Sequence, residues 1–298
     1  MRVLVTGGEG QLARALTRAP PQKIELWAPN RAELDLCDTS KLASQLDDFN
    51  PALIINTAAW TNVDRAEQQP GKANQVNAAA VGSLATLCAE RDIRIIHMST
   101  DYVFPGTGNT PHKPNDPTQP VNQYGKSKRE GEELLLASGA DCLIIRTGWL
   151  YAPWGHNFLA SMRKLMVEKQ ILEIVSDQTG TPTSVLDLAP AIWQLARGKN
   201  LGKDPGKDTE QIMHWTNTGT ATWFEFAYAI RKALMAKDLL EYPPALEKIS
   251  SMDYAAQHGD IAHRPHYSVL DATESYQRLG KTAADWHDAL SRVVENMT

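Results

Sequence analysis

Apolar residues in the first half of this chain fall into two alternating patterns. Short runs at 3–6, 24–27, 53–56, 93–97 and 143–145 are continuous and rich in Val, Ile and Leu, as strands buried on both faces are. Between them, 11–17, 40–49, 73–90 and 124–137 carry apolar positions at helical spacing. Strands alternating with helices predict an α/β fold, a doubly wound parallel sheet with right-handed crossovers. Beyond Trp149 the pattern is less regular. Helices are expected at 157–168, 184–197, 221–235 and 283–295. The stretch 198–208, rich in Gly, Lys and Asp, reads as an exposed loop, and Pro243-Pro244 punctuates another connection.

The first strand runs into Thr6-Gly7-Gly8-Glu9-Gly10-Gln11-Leu12-Ala13, and a helical pattern follows. Gly7 and Gly10 allow a tight turn and a close backbone approach to a pyrophosphate, which then sits on the free N–H groups at the helix start. Ala13 falls where a small residue lets that helix pack on the strand. A plain glycine-rich turn is the alternative, but the position between first strand and first helix favours a Rossmann-type dinucleotide site. After the second strand the sequence reads Pro29-Asn30-Arg31, with no acid in the place where one would bond the ribose 2′-OH and repel a 2′-phosphate. NADPH or NADH is expected as cofactor, with Arg31 either pairing a 2′-phosphate or solvated at the surface. Asp35 and Leu36 are placed to flank the adenine, and Ala58-Ala59 follow the third strand along the cofactor path.

Tyr124 and Lys128 stand four residues apart in Tyr-Gly-Lys-Ser-Lys, so a helix puts them on one face. A nearby ammonium is expected to lower the phenol's pKa and help it hand a proton to a carbonyl oxygen as hydride reaches the carbon. Tyr-x-x-x-Lys alone is common on exposed helices. Here it opens the helix after the fourth strand, whose end carries Ser99 and Thr100. Ligands of doubly wound sheets sit at the carboxyl ends of strands, which puts Thr100 at the same substrate oxygen, with Ser99 as its competitor.

Composition narrows the partners. A formal net charge of -5 disfavours nucleic acid and anionic membranes, which select basic surfaces. The three cysteines, Cys37, Cys88 and Cys142, lack disulfide or zinc spacing, and with no leader or spanning segment in view a cytoplasmic protein, monomer or homodimer, is expected. No convincing histidine cluster suggests a metal site.

Gly7-x-x-Gly10, the run from Ser99 to Phe104 and Tyr124-x-x-x-Lys128 together resemble the extended short-chain dehydrogenase/reductase family. The likeness continues through 56–64, Asn74 and Asn77, 146–151, Asn157-Phe158, Asp177-Gln178 with Gly180 and Pro182, and Arg264-Pro265 with Ser268 and Leu270, so it spans most of the chain. It implies an enzyme that reduces the C4 ketone of a nucleotide-linked deoxysugar, with Thr100, Tyr124 and Lys128 catalytic. It also implies Gly10, Gln11, Leu12, Asn30, Ala58, Ala59 and Trp60 as cofactor contacts, and Asp101, Tyr102 and Trp149 near the sugar. Gln178 and Arg264 would hold the nucleotide part. Trp149 has a competing reading as a core aromatic. Arg14-Ala15 occupies the place where some relatives carry an acid for a magnesium-linked dimer, so no such site is expected. The organisation implied is a dinucleotide domain over 1–150, rejoined by segments near 184–218, and a smaller, mostly helical substrate lobe over 151–183 and 219–298. Two rival readings are a reductase of a different nucleotide-linked 4-keto sugar and a non-catalytic cofactor-binding subunit. The intact Thr100, Tyr124 and Lys128 weigh against the second.

Overall fold

The computed structural model describes residues 1–198, 211–259 and 261–297; the loop expected at 198–208 lies outside them beyond Gly198. Strands β1 (Arg2–Thr6), β2 (Glu25–Trp27), β3 (Leu53–Asn56), β4 (Arg94–Thr100) and β5 (Cys142–Thr147) form a parallel sheet in the order β2-β1-β3-β4-β5, with Ile212–His214 added outside β5. Side chains alternate across each strand. Val3, Val5, Leu53 and Ile55 therefore enter one core and Leu4 and Ile54 the other. The chain leaves β1 for β2 on one side and returns to place β3 on the other. This reversal opens the crevice between the carboxyl ends of β1 and β3 in which such sheets bind ligands.

Three elements differ from expectation in ways that matter. β2 is half-exposed rather than buried on both faces, because it is an edge strand with a single neighbour. The helix expected at 73–90 is Pro70–Asn74 and Ala80–Glu90 joined by a π-helical turn, Gln75–Ala79. That wider turn aims Asn77 at the end of β3. β4 also runs three residues past the expected 97, carrying Ser99 and Thr100 to the sheet's edge.

The helix Gln123–Ala137 starts at Asn122, whose side chain accepts from Gly125 N at 2.8 Å. It lies against the π turn so closely that a Cβ on Gly131 would sit 2.1 Å from the Asn77 carbonyl oxygen. On the opposite face of the sheet, α1 (Gln11–Arg18) brings Leu12, Ala13, Ala15 and Leu16 into the core beside Val185–Ala196.

A separate core gathers Tyr151, Leu159, Phe226, Ile230, Trp286 and Val293 from the helices Phe158–Glu168, Trp223–Ala236 and Trp286–Glu295. A parallel strand pair, Ile171–Val175 with Ala245–Ile249, joins it; helix Ser251–His258 follows with no buried side chain, and helix Thr273–Leu279 adds Leu279 to the core beside α1. None of these last four elements is expected from the apolar pattern of the chain. Both strands leave residues exposed, so neither forms the continuous apolar run that marks a buried strand. No helix among the described residues is long and apolar enough to cross a membrane.

Gly131→Ala adds a methyl group with no room for it. Overpacking costs about 1–3 kcal/mol, more than the ~1 kcal/mol that alanine gains in helix propensity. Urea unfolding should show net destabilisation, whereas Gly71→Ala, with nothing within 4 Å of the added carbon, should be neutral or stabilising.

Candidate active site

The glycine turn lies across the crevice. Gly7 has φ +69° and packs on Ala58, and Gly8 meets the end of β2 so tightly that a Cβ would fall 2.1 Å from Ala28 O. Gly8 N donates to Pro29 O at 2.9 Å and Gly10 N to Gly7 O at 2.8 Å. Gly10 caps α1 without a side-chain hydrogen bond, and no acid occupies the first turn. The N–H groups of Gln11 and Leu12 thus open an uncapped helix end onto the crevice, which suits a pyrophosphate.

The adenosine end is less direct than expected. Asn30 Oδ1 accepts from Ala32 N and Glu33 N at 2.8 and 3.1 Å, so this side chain shapes the turn. Arg31 is exposed and pairs with Asp35 at 3.2 Å. Asp35 also accepts from Cys37 N. Leu36 is buried among Leu34, Leu42 and Ile54, and the structure does not bring its side chain to the crevice. Ala58, Ala59 and Trp60 are half-buried beside the glycine turn. Asn77 holds Trp60 at both backbone groups, accepting from its N at 2.8 Å and donating to its O at 3.0 Å.

At the carboxyl end of β4, Thr100 and Tyr124 come together, and the Thr100 side chain draws the phenol's pKa downward against its burial. Burial dominates, however, and with the Asp101 carboxylate beside it the phenol is pushed up to about 12. Lys128 does not lower it as expected. Its Nζ donates to Met98 O at 2.7 Å and meets His97 Nε2 at 3.2 Å, so the charge is engaged inside the sheet rather than at the phenol. Burial draws Lys128 down to about 8, opposed by Glu132. Thr100 Oγ1 donates to Asp101 Oδ1 at 2.9 Å and accepts from Tyr102 N at 3.2 Å. Asp101, only 3% exposed, is pushed up to about 6 by burial against the pull of Ser268 and Thr100. Tyr102 stands edge-on to Tyr124 at 5.9 Å.

Ser99 is not a competitor for the substrate oxygen. Its Oγ donates to Glu132 Oε1 at 2.5 Å, inside a buried network that the sequence reading missed. Arg146 of β5 grips Glu132 at two points, Nε to Oε1 at 2.9 Å and Nη2 to Oε2 at 2.7 Å, and donates to Pro114 O at 3.0 Å. Both side chains are nearly inaccessible, 0% and 2%. Asn77 adds a bond to Ser127 Oγ at 3.0 Å.

Trp149, in the left-handed region at φ 48°, stacks on Trp223 with ring centroids 3.4 Å apart. Trp223 Nε1 donates to Gln178 Oε1, and Gln178 Nε2 to Ser251 Oγ, at 3.1 and 2.8 Å. Gln178 therefore fixes an aromatic wall. Arg264 grips Asp64 through Nη2, 2.9 Å from each oxygen, and ties the segment around Ala262 to the helix Val63–Gln68. Trp223, Gln178 and Arg264 line a cleft of about 1200 Å³ that also takes in Asp177, Tyr254 and His263. Among the described residues no group of three or more His, Cys, Asp or Glu side chains could hold a metal ion.

The sheet, the glycine turn and the Thr–Tyr–Lys set define a member of the short-chain dehydrogenase/reductase class. The model of the RmlD substrate binding domain family matches residues 1–298, and the chain belongs to that family. It is 36% identical over 294 residues to a dTDP-4-dehydrorhamnose reductase of Aggregatibacter actinomycetemcomitans, covering 98% of each chain. It is 34% identical to a dTDP-4-keto-6-deoxy-D-glucose reductase of Streptomyces niveus, covering 98% of this chain and 96% of that one. Among solved structures, a dTDP-4-dehydrorhamnose reductase of Bacillus anthracis in complex with NADP superposes with a TM-score of 0.88 at 29% identity, over 99% of both chains.

Two outcomes follow from the buried groups. Glu132→Ala strands the Arg146 guanidinium, a loss of about 3–5 kcal/mol. Replacing both partners by Leu and Met should cost less than that single change in urea unfolding. Asp101 titrates higher in the folded protein, about 6, than its ordinary 3.8. The folded state then binds the extra proton, so this group's stabilisation is complete below pH 3.8 and is lost as pH rises through about 6, up to about 3 kcal/mol. Thermal unfolding of Asp101→Asn across that range should show a flatter profile than the wild type.

Proposed function

We propose that this chain reduces the C4 ketone of dTDP-4-dehydro-L-rhamnose to dTDP-L-rhamnose, using NADPH or NADH, as the last step in making that nucleotide sugar. The observation that carries the reading is the Thr100–Tyr124 contact at the carboxyl edge of the sheet, beside the crevice where the glycine turn meets Ala58. Full-length likeness to reductases of this kind supports it.

The dinucleotide supplies the hydride when bound. Gly7, Gly10, Gln11 and Leu12 would hold its pyrophosphate, Ala58, Ala59 and Trp60 would follow its path, and Asn30 and Arg31 stand at its adenosine end. A 2′-phosphate meets no acid in line before Glu33, and Arg31 offers a cation. Tyr124 acts as the acid. Burial keeps its proton on at neutral pH, which is the form a reduction needs, and the oxygen formed at C4 is a stronger base than a phenolate, so the proton moves to it as negative charge develops. Thr100 orients the same oxygen. Lys128 would hold the nicotinamide ribose. Asp101 acts through Thr100, Tyr102 borders the sugar, and the Trp149–Trp223 pair forms its apolar wall. The cleft lined by Gln178 and Arg264 takes the nucleotide part. The cores suggest the division of labour, with 1–150 and the segments near 184–218 serving the dinucleotide and 151–183 with 219–298 serving the nucleotide sugar. A small-molecule substrate and three cysteines that form no disulfide suit the cytoplasm.

A second reading is favoured by the Streptomyces niveus relative. A few pocket contacts decide between epimeric sugars, so the substrate could be another dTDP-linked 4-keto-6-deoxysugar. Purified protein given NADPH or NADH and each sugar in turn, followed by cofactor absorbance and product identification, separates the two. Turnover is expected with dTDP-4-dehydro-L-rhamnose and falls by about 100-fold or more in Tyr124→Phe, with cofactor binding retained. Turnover only with the other sugar supports the second reading, and cofactor binding without turnover on either removes both.

A further inference from the structure

Four consecutive residues, Asp177 to Gly180, organise the stacked tryptophans. Thr179 pairs with Thr222 and Gly180 with Ala221, which places the backbone just before Trp223, and Trp223 opens a helix whose capping box is complete. Trp149 packs on Gly180, where a Cβ would fall 2.5 Å from Cε2 and Nε1 of the indole. The residue before it, Gly148, lies so close to Asp101 that a Cβ there would meet Oδ2 at 2.7 Å. The aromatic pair thus reaches from the carboxylate beside Thr100 and Tyr124 to the cleft that Trp223 lines. With these backbone positions set, the rotation of the Trp223 side chain decides where the pair sits.

Gln178 holds that side chain, and its amide fits only one way round. An indole N–H donates and never accepts, so Gln178 Oε1 faces Trp223 Nε1 at 3.1 Å. Nε2 then faces Ser251 Oγ at 2.8 Å, and that hydroxyl, having accepted, gives its own proton to Asp177 Oδ1 at 2.5 Å. Asp177 also accepts from Ser251 N, at 3.0 and 2.9 Å to its two oxygens. Burial pushes this carboxyl's pKa up, but the Ser251 bonds outweigh it and hold the group below its ordinary value, so the row ends on a charged acceptor. Gln178 is only 6% exposed and both ends of its amide are engaged inside the protein. A nucleotide in the cleft therefore meets its neighbours rather than the amide itself.

We infer that Gln178 is a positioning residue for the reduction: it fixes the Trp223 indole, and through the stack Trp149, and ties both to the first residue of the helix Ser251–His258 beside the nucleotide cleft. This rests on the reductase reading of the site. None of that helix's side chains is buried, so the Ser251 bonds are what join it to the aromatic pair. Contacts made by the non-reacting nucleotide part are in this way spent on placing the sugar.

The full chain labelled with nitrogen-15 at the tryptophan indoles gives the first reading. The Trp223 signal is identified by its loss in Trp223→Phe, and its N–H should exchange with deuterium at least about five-fold faster in Gln178→Met than in the wild type. Equal exchange overturns the inference. With dTDP-4-dehydro-L-rhamnose and NADPH, Gln178→Met should lower kcat about 10–100-fold, while dTDP alone and NADPH each bind within about two-fold of wild type, as kcat rather than binding depends on where the wall sits. Weakened dTDP binding in step with kcat would make Gln178 part of the nucleotide site, and unchanged kcat would leave it no part in placing the sugar; either result contradicts the inference. Trp223→Phe keeps a ring and removes only the N–H end of the indole, so the double variant should be no slower than the slower single one, and additive losses would count against a shared bond. If the wild type turns over no keto sugar the reductase reading fails, and the indole exchange still decides whether Gln178 holds Trp223.

Discussion

The site depends on one ion pair buried under its helix. Removing a guanidinium and a carboxylate from water costs several kcal/mol each, and only close, two-point pairing with the remaining donors satisfied offsets it. Arg146 and Glu132 meet those conditions: two bonds join them, Pro114 takes a further N–H, Ser99 fills the carboxylate, and the guanidinium lies over the Phe104 ring at 5.1 Å. The pair locks the Gln123–Ala137 helix to β5 one turn beyond Lys128. Asn77 locks the same helix to the end of β3, and Asn122 Nδ2 ties its first residues to His263 O at 2.9 Å. Tyr124 and Lys128 are held by this three-point attachment, so their geometry belongs to the sheet rather than to a surface helix.

The same attachments couple the site to the rest of the chain. Asn77 grips the Trp60 backbone, which continues from Ala58 beside the glycine turn, so cofactor path and proton donor share one support. Gln11 at the start of α1 donates to Leu150 O at 3.2 Å and accepts at its own carbonyl from Trp154 Nε1 at 3.1 Å, joining the glycine turn to the segment that carries Trp149. On the far side, Arg264 and Asp64 clamp the segment around Ala262 beside Tyr102.

Much of the sheet was legible because buried parallel strands write themselves as apolar runs and the glycine turn sits between the first strand and helix. The meeting of Thr100 and Tyr124 at the carboxyl end of β4 was legible through position. Partnerships set by tertiary packing were not. Glu132 and Arg146 are 14 residues apart, and Asp64 and Arg264 are 200 apart; nothing local marks either pair. The choice between Ser99 and Thr100 depended on where Glu132 would lie. That Leu36 turns into the core with Leu34 and Leu42 was not legible either, because nothing in the turn after β2 says which side chain points inward. Trp223 was missed because an aromatic at helical spacing looks like core until its stacking on Trp149 is seen.

The proposed reduction requires a ketone bound beside Tyr124 to lie against the nicotinamide. Deuteride tracing tests it most directly: cofactor deuterated at nicotinamide C4, in each of the two stereochemical forms, is given to the enzyme with the keto sugar, and the product is read by mass and by NMR. One form should deliver its label to sugar C4 alone and the other none. Label at another carbon, or a reduced sugar carrying no label from either form, would contradict the account.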